Sequence, residues 1–316
     1  MKKTVMFGLA AALVAGAACK KKETTTTSSA GSGSAATPAG SDVAKAEPAD
    51  AAEAPKPAAK PITTIVPADL KWNPFDEKAG IDKSGGFAVL YGDPQNGPNG
   101  MLIKLPPGNP GMPHTHTNTD NGVTIKGGPI HQQNGKDKAK PLPPGSYWSQ
   151  PGGTPHVSAC PGKEECLVFV HFNDGKFDFA PAKLDAKAER PKEYVEKRPA
   201  DLKFAPLIPD MKEKSPQIAV AWGDPQSGPH GQFFKFPAGF TSPPHTHTAD
   251  YHAVIISGTI MEYAPDDKSP KELGPGAYYM QPGGVAHITA CKAGAECLVY
   301  TYMTGKFDFQ PAGEKK

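Results

Sequence analysis

Two histidine pairs, His114 with His116 and His245 with His247, each separated by one residue, stand in this chain. Residues two apart on a β-strand point to the same face. Each pair therefore aims two imidazoles at one point. A neutral imidazole offers a lone pair that suits divalent transition metals. Beyond each pair, at the same interval, stands one more histidine, His156 and His287. The chemistry this suggests is metal binding, with any reaction carried out at the bound ion.

The elements that must position these residues come from a duplication. Gly92-Asp93-Pro94-Gln95 returns as Gly223-Asp224-Pro225-Gln226, Pro113 to Thr117 returns as Pro244 to Thr248, and Gln150-Pro151-Gly152-Gly153 returns as Gln281-Pro282-Gly283-Gly284. These three pairs share a spacing of 131 residues. Gly175-Lys176-Phe177-Asp178-Phe179 also returns, as Gly305-Lys306-Phe307-Asp308-Phe309. A repeat of this length is a duplicated domain rather than a solenoid unit. The copies are placed at 67–182 and 199–313, joined by a charged linker at 183–198 that is compatible with a short helix. Inside each copy, short β-branched and aromatic runs such as Phe87 to Tyr91 and Cys297 to Tyr302 are bounded by Gly and Pro clusters. That pattern predicts an all-β sandwich or barrel. The 36 prolines and 34 glycines argue the same way, against long helices. The net charge of +2 gives no electrostatic case for nucleic acid.

Two segments per copy resemble the signature motifs of the cupin superfamily. The first motif runs Gly108, His114, His116, Asp120, Gly127 in copy one and Gly239, His245, His247, Tyr251, Gly258 in copy two. The second runs Gly145, Pro151, Gly153, His156 and Gly276, Pro282, Gly284, His287. The resemblance implies two tandem cupin jelly-roll barrels packed as one body. It makes His114, His116 and His156 one ligand set, and His245, His247 and His287 another. Three imidazoles on one side of an ion leave its other side open to water, oxygen or a chelating substrate.

The family's usual Glu ligand is replaced. Asp120 in copy one is a good ligand, one methylene shorter. Tyr251 in copy two is a poor one, so copy two is similar to the three-His thiol and diketone dioxygenases. His252 points away by strand parity. His131, His171 and His230 are read as structural or surface residues, because the other copy carries Glu262, Tyr302 and Asn99 in their places. Tyr147, Gln150, Tyr278 and Gln281 are candidates for the pocket wall, or are repeated because the barrel needs them. Across 67–313, Ser-Pro-Pro-His-Thr-His, Val-Ile-Ile-Ser-Gly and Gln-Pro-Gly-Gly-Val-Ala-His-Ile-Thr-Ala of copy two are similar to bicupins related to the ChrR-type cupin, a domain of unknown function. That likeness names no reaction.

Four cysteines repeat as pairs, Cys160 with Cys166 and Cys291 with Cys297. Outside the cytoplasm such an even set predicts two short disulfides; a thiol metal site is the alternative. The extracytoplasmic setting comes from the N-terminus. Lys2 and Lys3, an apolar run to Ala18, and Cys19 resemble a bacterial lipoprotein signal with lipidation at Cys19. Residues 1–18 are then a signal peptide and 19–66 a disordered tether, too poor in large apolar groups to fold. The expectation is a lipid-anchored envelope protein that binds a divalent ion of iron, manganese, nickel, copper or zinc, and a small molecule. It is either a dioxygenase-like enzyme or a non-catalytic binding or sensing protein. A homodimer is compatible with the sequence. No acid–base residue beyond the metal set is evident.

Overall fold

In the computed structural model, residues 60–133 and 138–313 are described. The signal segment, Cys19 and nearly all of the tether lie outside them.

Each barrel contains one seven-stranded antiparallel sheet. In barrel 1 the order is Val195–Lys197, Tyr147–Gln150, Asp120–Lys126, Cys166–Phe172, Asn99–Leu105, Gly86–Gly92 and Asn73–Pro74. In barrel 2 it is Thr63–Ile65, Tyr278–Gln281, Tyr251–Ser257, Cys297–Met303, His230–Phe236, Gln217–Gly223 and Ala205–Pro206. Two-stranded sheets close each barrel: His114–Thr115 with Ala180–Pro181 and Ile130–Gln132 with Val157–Ala159 in the first, and their equivalents in the second.

The strand Cys166–Phe172 shows why simple alternation is absent from the sequence. Val168, Val170 and Phe172 face the interior of barrel 1, whereas Leu167 and Phe169 face barrel 2. Both faces are covered, so the strand is almost continuously apolar. The cluster between the two sheets draws on both copies: Leu102, Val123 and Phe169 from one, Phe233, Val254 and Tyr300 from the other.

Two expectations are corrected here. Thr63–Ile65, assigned to the tether, is a strand paired with Tyr278–Gln281 of barrel 2. Val195–Lys197, in the linker read as compatible with a helix, is a strand paired with Tyr147–Gln150 of barrel 1. The strand leading into each copy thus completes the sheet of the other. Short runs, Thr-Thr-Ile and Val-Glu-Lys, suffice because each covers an otherwise bare sheet edge. The predicted disulfides Cys160–Cys166 and Cys291–Cys297 are both present.

Candidate metal centre

In barrel 1, His114 and His156 lie opposite each other and exchange both backbone hydrogen bonds, each at 2.9 Å. His116 follows, and its carbonyl accepts the N–H of Gly153 at 2.7 Å. Gly153 has φ +75°, the left-handed conformation glycine adopts without strain, which explains the Pro-x-Gly turn before His156. These contacts bring three ring nitrogens to within 4.8 Å of one another. His245, His247 and His287 repeat the arrangement in barrel 2.

Backbone carbonyls fix the tautomers. The Nδ1–H groups of His114 and His156 donate to Met112 at 2.7 Å and Thr154 at 3.1 Å, and that of His116 donates to Asp178. In barrel 2 the acceptors are Pro243 at 2.9 Å, Val285 at 3.1 Å and Asp308. This turns each Nε2 lone pair toward the shared centre, the second-sphere pattern usual for metal-ligating histidine, although in barrel 2 the Tyr251 hydroxyl also lies 3.5 Å from His287 Nε2. Burial lowers His114 and His245 to about 4 and His287 to about 2, and holds His156 far below its ordinary range. All four are therefore neutral around pH 7. His156 Nε2 is buried without a hydrogen-bond partner. Such an orphaned lone pair beside two others is what a divalent ion satisfies, so the residues fit one.

Asp178 and Asp308 were not singled out from the sequence, although their string is repeated. Each lends its carbonyl to a histidine, and its carboxylate accepts the N–H of Thr117 at 2.7 Å or Thr248 at 2.8 Å. The neighbouring Phe179 and Phe309 stack on His114 and His245, both at 4.5 Å.

The fourth position differs between the copies. Asp120 is buried, its Oδ1 has no partner, and it lies outside the tight nitrogen cluster. Burial raises it to about 6, against the pull of His116. In barrel 2 the Tyr251 hydroxyl donates to Glu262 at 3.1 Å, and Thr289 donates to the same carboxyl group at 2.7 Å. Glu262 Oε1 is 3.5 Å from His287 Nε2. Burial pushes this carboxyl up to about 8. An acid–base residue is therefore present after all. It was missed because it sits outside both signature motifs and is not repeated as an acid.

Its counterpart, His131, is a wall residue of the barrel 1 cavity rather than a surface group. It is buried, donates from Nε2 to Gln150 at 3.0 Å and stacks on Trp148. His171, His230 and His252 lie away from both triads. His252 stacks on Tyr91 of the other barrel at 3.8 Å, as strand parity requires. Tyr147 and Tyr278 belong to the barrel framework, the second of the two readings offered for them. Gln150 and Gln281 pair with Asp120 and Tyr251, so the interior positions of these strands are Trp148 and Gln150, and Tyr279 and Gln281. Tyr147 and Tyr278 face the other way, into the core between the barrels.

The interiors also differ. Barrel 1 holds a cavity of about 500 Å³ that reaches His114, His116 and Asp120. Ile103, Leu105 and Asn109 line it; the residues 131 positions later are Phe234, Phe236 and Phe240, which pack into the core of barrel 2. Three aromatic rings thus occupy the space that smaller side chains leave open in the first copy.

Paired barrels each carrying three inward histidines define a two-domain cupin. The chain belongs to the family described as a domain of unknown function, DUF4437, whose model matches residues 63–203 and 198–316. No curated protein sequence matches it. Among solved structures it is similar to a proposed dioxygenase from Nostoc punctiforme, with 12% identity and a TM-score of 0.60 over 80% of this chain and 87% of that one. It is also similar to a variant of Bacillus subtilis oxalate decarboxylase, with 13% identity and a TM-score of 0.52 over 78% of each chain. Another structure of that decarboxylase concerns its Mn(II) centres, and matches with 14% identity and a TM-score of 0.52 over 78% of each chain. At these identities the likeness establishes the fold.

Proposed function

We propose that the protein is a metal-dependent enzyme of the oxygenase kind, acting on a small molecule in barrel 1. The observation that carries this reading is the cavity of barrel 1 reaching His114 and His116, which with His156 form a carbonyl-anchored triad. A divalent ion held by His114, His116 and His156 supplies Lewis acidity and a place for oxygen or a chelating group. The chain's own part is to keep His114 and His156 neutral by burial, hold all three imidazoles in one tautomer and exclude bulk water with apolar walls. Asp120, with its free Oδ1, is the group placed to hold or move a proton beside them. Barrel 2 binds an ion with His245, His247 and His287 but has its interior filled; a binding or scaffolding role suits it, and favours a non-catalytic protein as the second reading.

We further propose that the chain works in the cell envelope, held to a membrane through Cys19. The two disulfides support an oxidising compartment. The test is metal content by mass spectrometry on the full chain, followed by oxygen uptake with candidate substrates. His114→Ala and His245→Ala should each remove about one of two ions. Stoichiometric metal without turnover would favour the binding protein, and absence of metal after reconstitution would remove the proposal.

A further inference from the structure

The cavity of barrel 1 also constrains what enters it. Its ionisable lining is His114, His116, His131 and Asp120, whose Oδ1 is unpartnered, and Ser84, Asn109 and Ser158 add neutral polar groups. The remaining walls are aliphatic and aromatic, with Ile103, Leu142, Val168 and Val170 among them. Among the described residues, no Lys or Arg lines the cavity. At the mouth, Phe75, Met112 and Phe179 are 48%, 53% and 43% exposed, although large apolar side chains usually seek cover. All three line the cavity, so the exposed apolar surface forms a rim continuous with the interior. The volume lies within the roughly 300–1,000 Å³ of small-molecule sites.

We propose that the substrate of barrel 1 is a neutral or weakly acidic molecule with an apolar, ring-sized or branched body and one oxygen-bearing head that meets the histidines. This rests on the metal-dependent reading above and narrows it. A small dianion such as a dicarboxylate is disfavoured on two grounds. Beside Asp120 it would have only the bound ion to offset its charge, with no cationic side chain among the described lining residues, and it would leave apolar walls wet.

The experiment loads the full chain with zinc and titrates it with hydroxamates, a head that chelates many divalent ions, on bodies of increasing size: methyl, butyl, heptyl and naphthyl. Oxalate is the polar control. Fluorescence of Trp148, which lines the cavity, and calorimetry report binding. Affinity should rise about fourfold per buried methylene, and oxalate should bind more weakly than the heptyl probe. Ile103→Phe and Asn109→Phe each install the residue the second copy carries at the matching position. Each should abolish the gain from the larger bodies while zinc stoichiometry stays unchanged. Two variants guard against one that fails to fold.

A flat series with zinc bound, or oxalate as the stronger ligand, would overturn the substrate class and leave the metal reading intact. If no zinc binds, the metal reading fails, and uncharged naphthalene decides the inference. Binding that Ile103→Phe abolishes would support it, and no binding would overturn it.

Discussion

Replacing His171 with Phe should change how the protein responds to acid. His171 lies fully buried between the barrels. Its Nδ1 is 2.6 Å from Asn173 Oδ1, and its Nε2 is 3.0 Å from the Tyr300 hydroxyl of the other copy. Burial lowers it from 6.5 to about 3. Between those values the unfolded chain binds a proton that the folded chain refuses, so stability rises with pH across that window and falls on acidification. At about 1.4 kcal/mol for each tenfold change in proton affinity, the full penalty approaches about 5 kcal/mol near pH 3. At pH 7 that penalty is absent, and the variant loses only two hydrogen bonds, about 1–2 kcal/mol. The two stability curves should therefore cross near pH 5, by linkage, with the variant the more stable below. The assay is denaturant unfolding of both proteins from pH 4 to 7.5. Other buried histidines titrate in both chains and cancel in the difference. Parallel curves over that range would refute the reasoning, because they would mean that His171 is hydrated or protonated in the folded state.

Two further outcomes are expected. Cys160→Ser with Cys166→Ser opens a very short loop and should cost about 2 kcal/mol in denaturant unfolding. Truncation before Pro67 removes Thr63–Ile65 and should raise amide exchange in Tyr278–Gln281 of barrel 2 far more than in Tyr147–Gln150 of barrel 1.

The triads were legible because their information is local. A His-x-His pair on a strand points one way whatever surrounds it, and the duplication states the motif twice. The disulfides were legible for the same reason. Which way Tyr147 and Tyr278 face was not legible, since facing inward has meaning only relative to a neighbouring strand, and Gln150 opposite Asp120 supplies that reference. Glu262 was hidden because its acid group matters only beside Tyr251 and Thr289, eleven and twenty-seven positions away. The exchanged strands were hidden because three residues carry little pattern and find their partners in the other copy. The filled second barrel could have been read from the phenylalanines at 234, 236 and 240, had the two copies been compared for side-chain volume rather than for identity.

The exchanged strands also bear on how the chain came to be and how it folds. A single copy with its own leading strand contains every part of the arrangement, since a second identical copy would receive that strand and return its own. One fused chain thus holds within itself the exchange that two separate identical copies would make between them. During synthesis Thr63–Ile65 emerges more than two hundred residues before Tyr278–Gln281. The first strand made among the described residues is thus among the last to find its place. Until then the edge of barrel 2 stays open, and a neighbouring chain's strand fits it equally well.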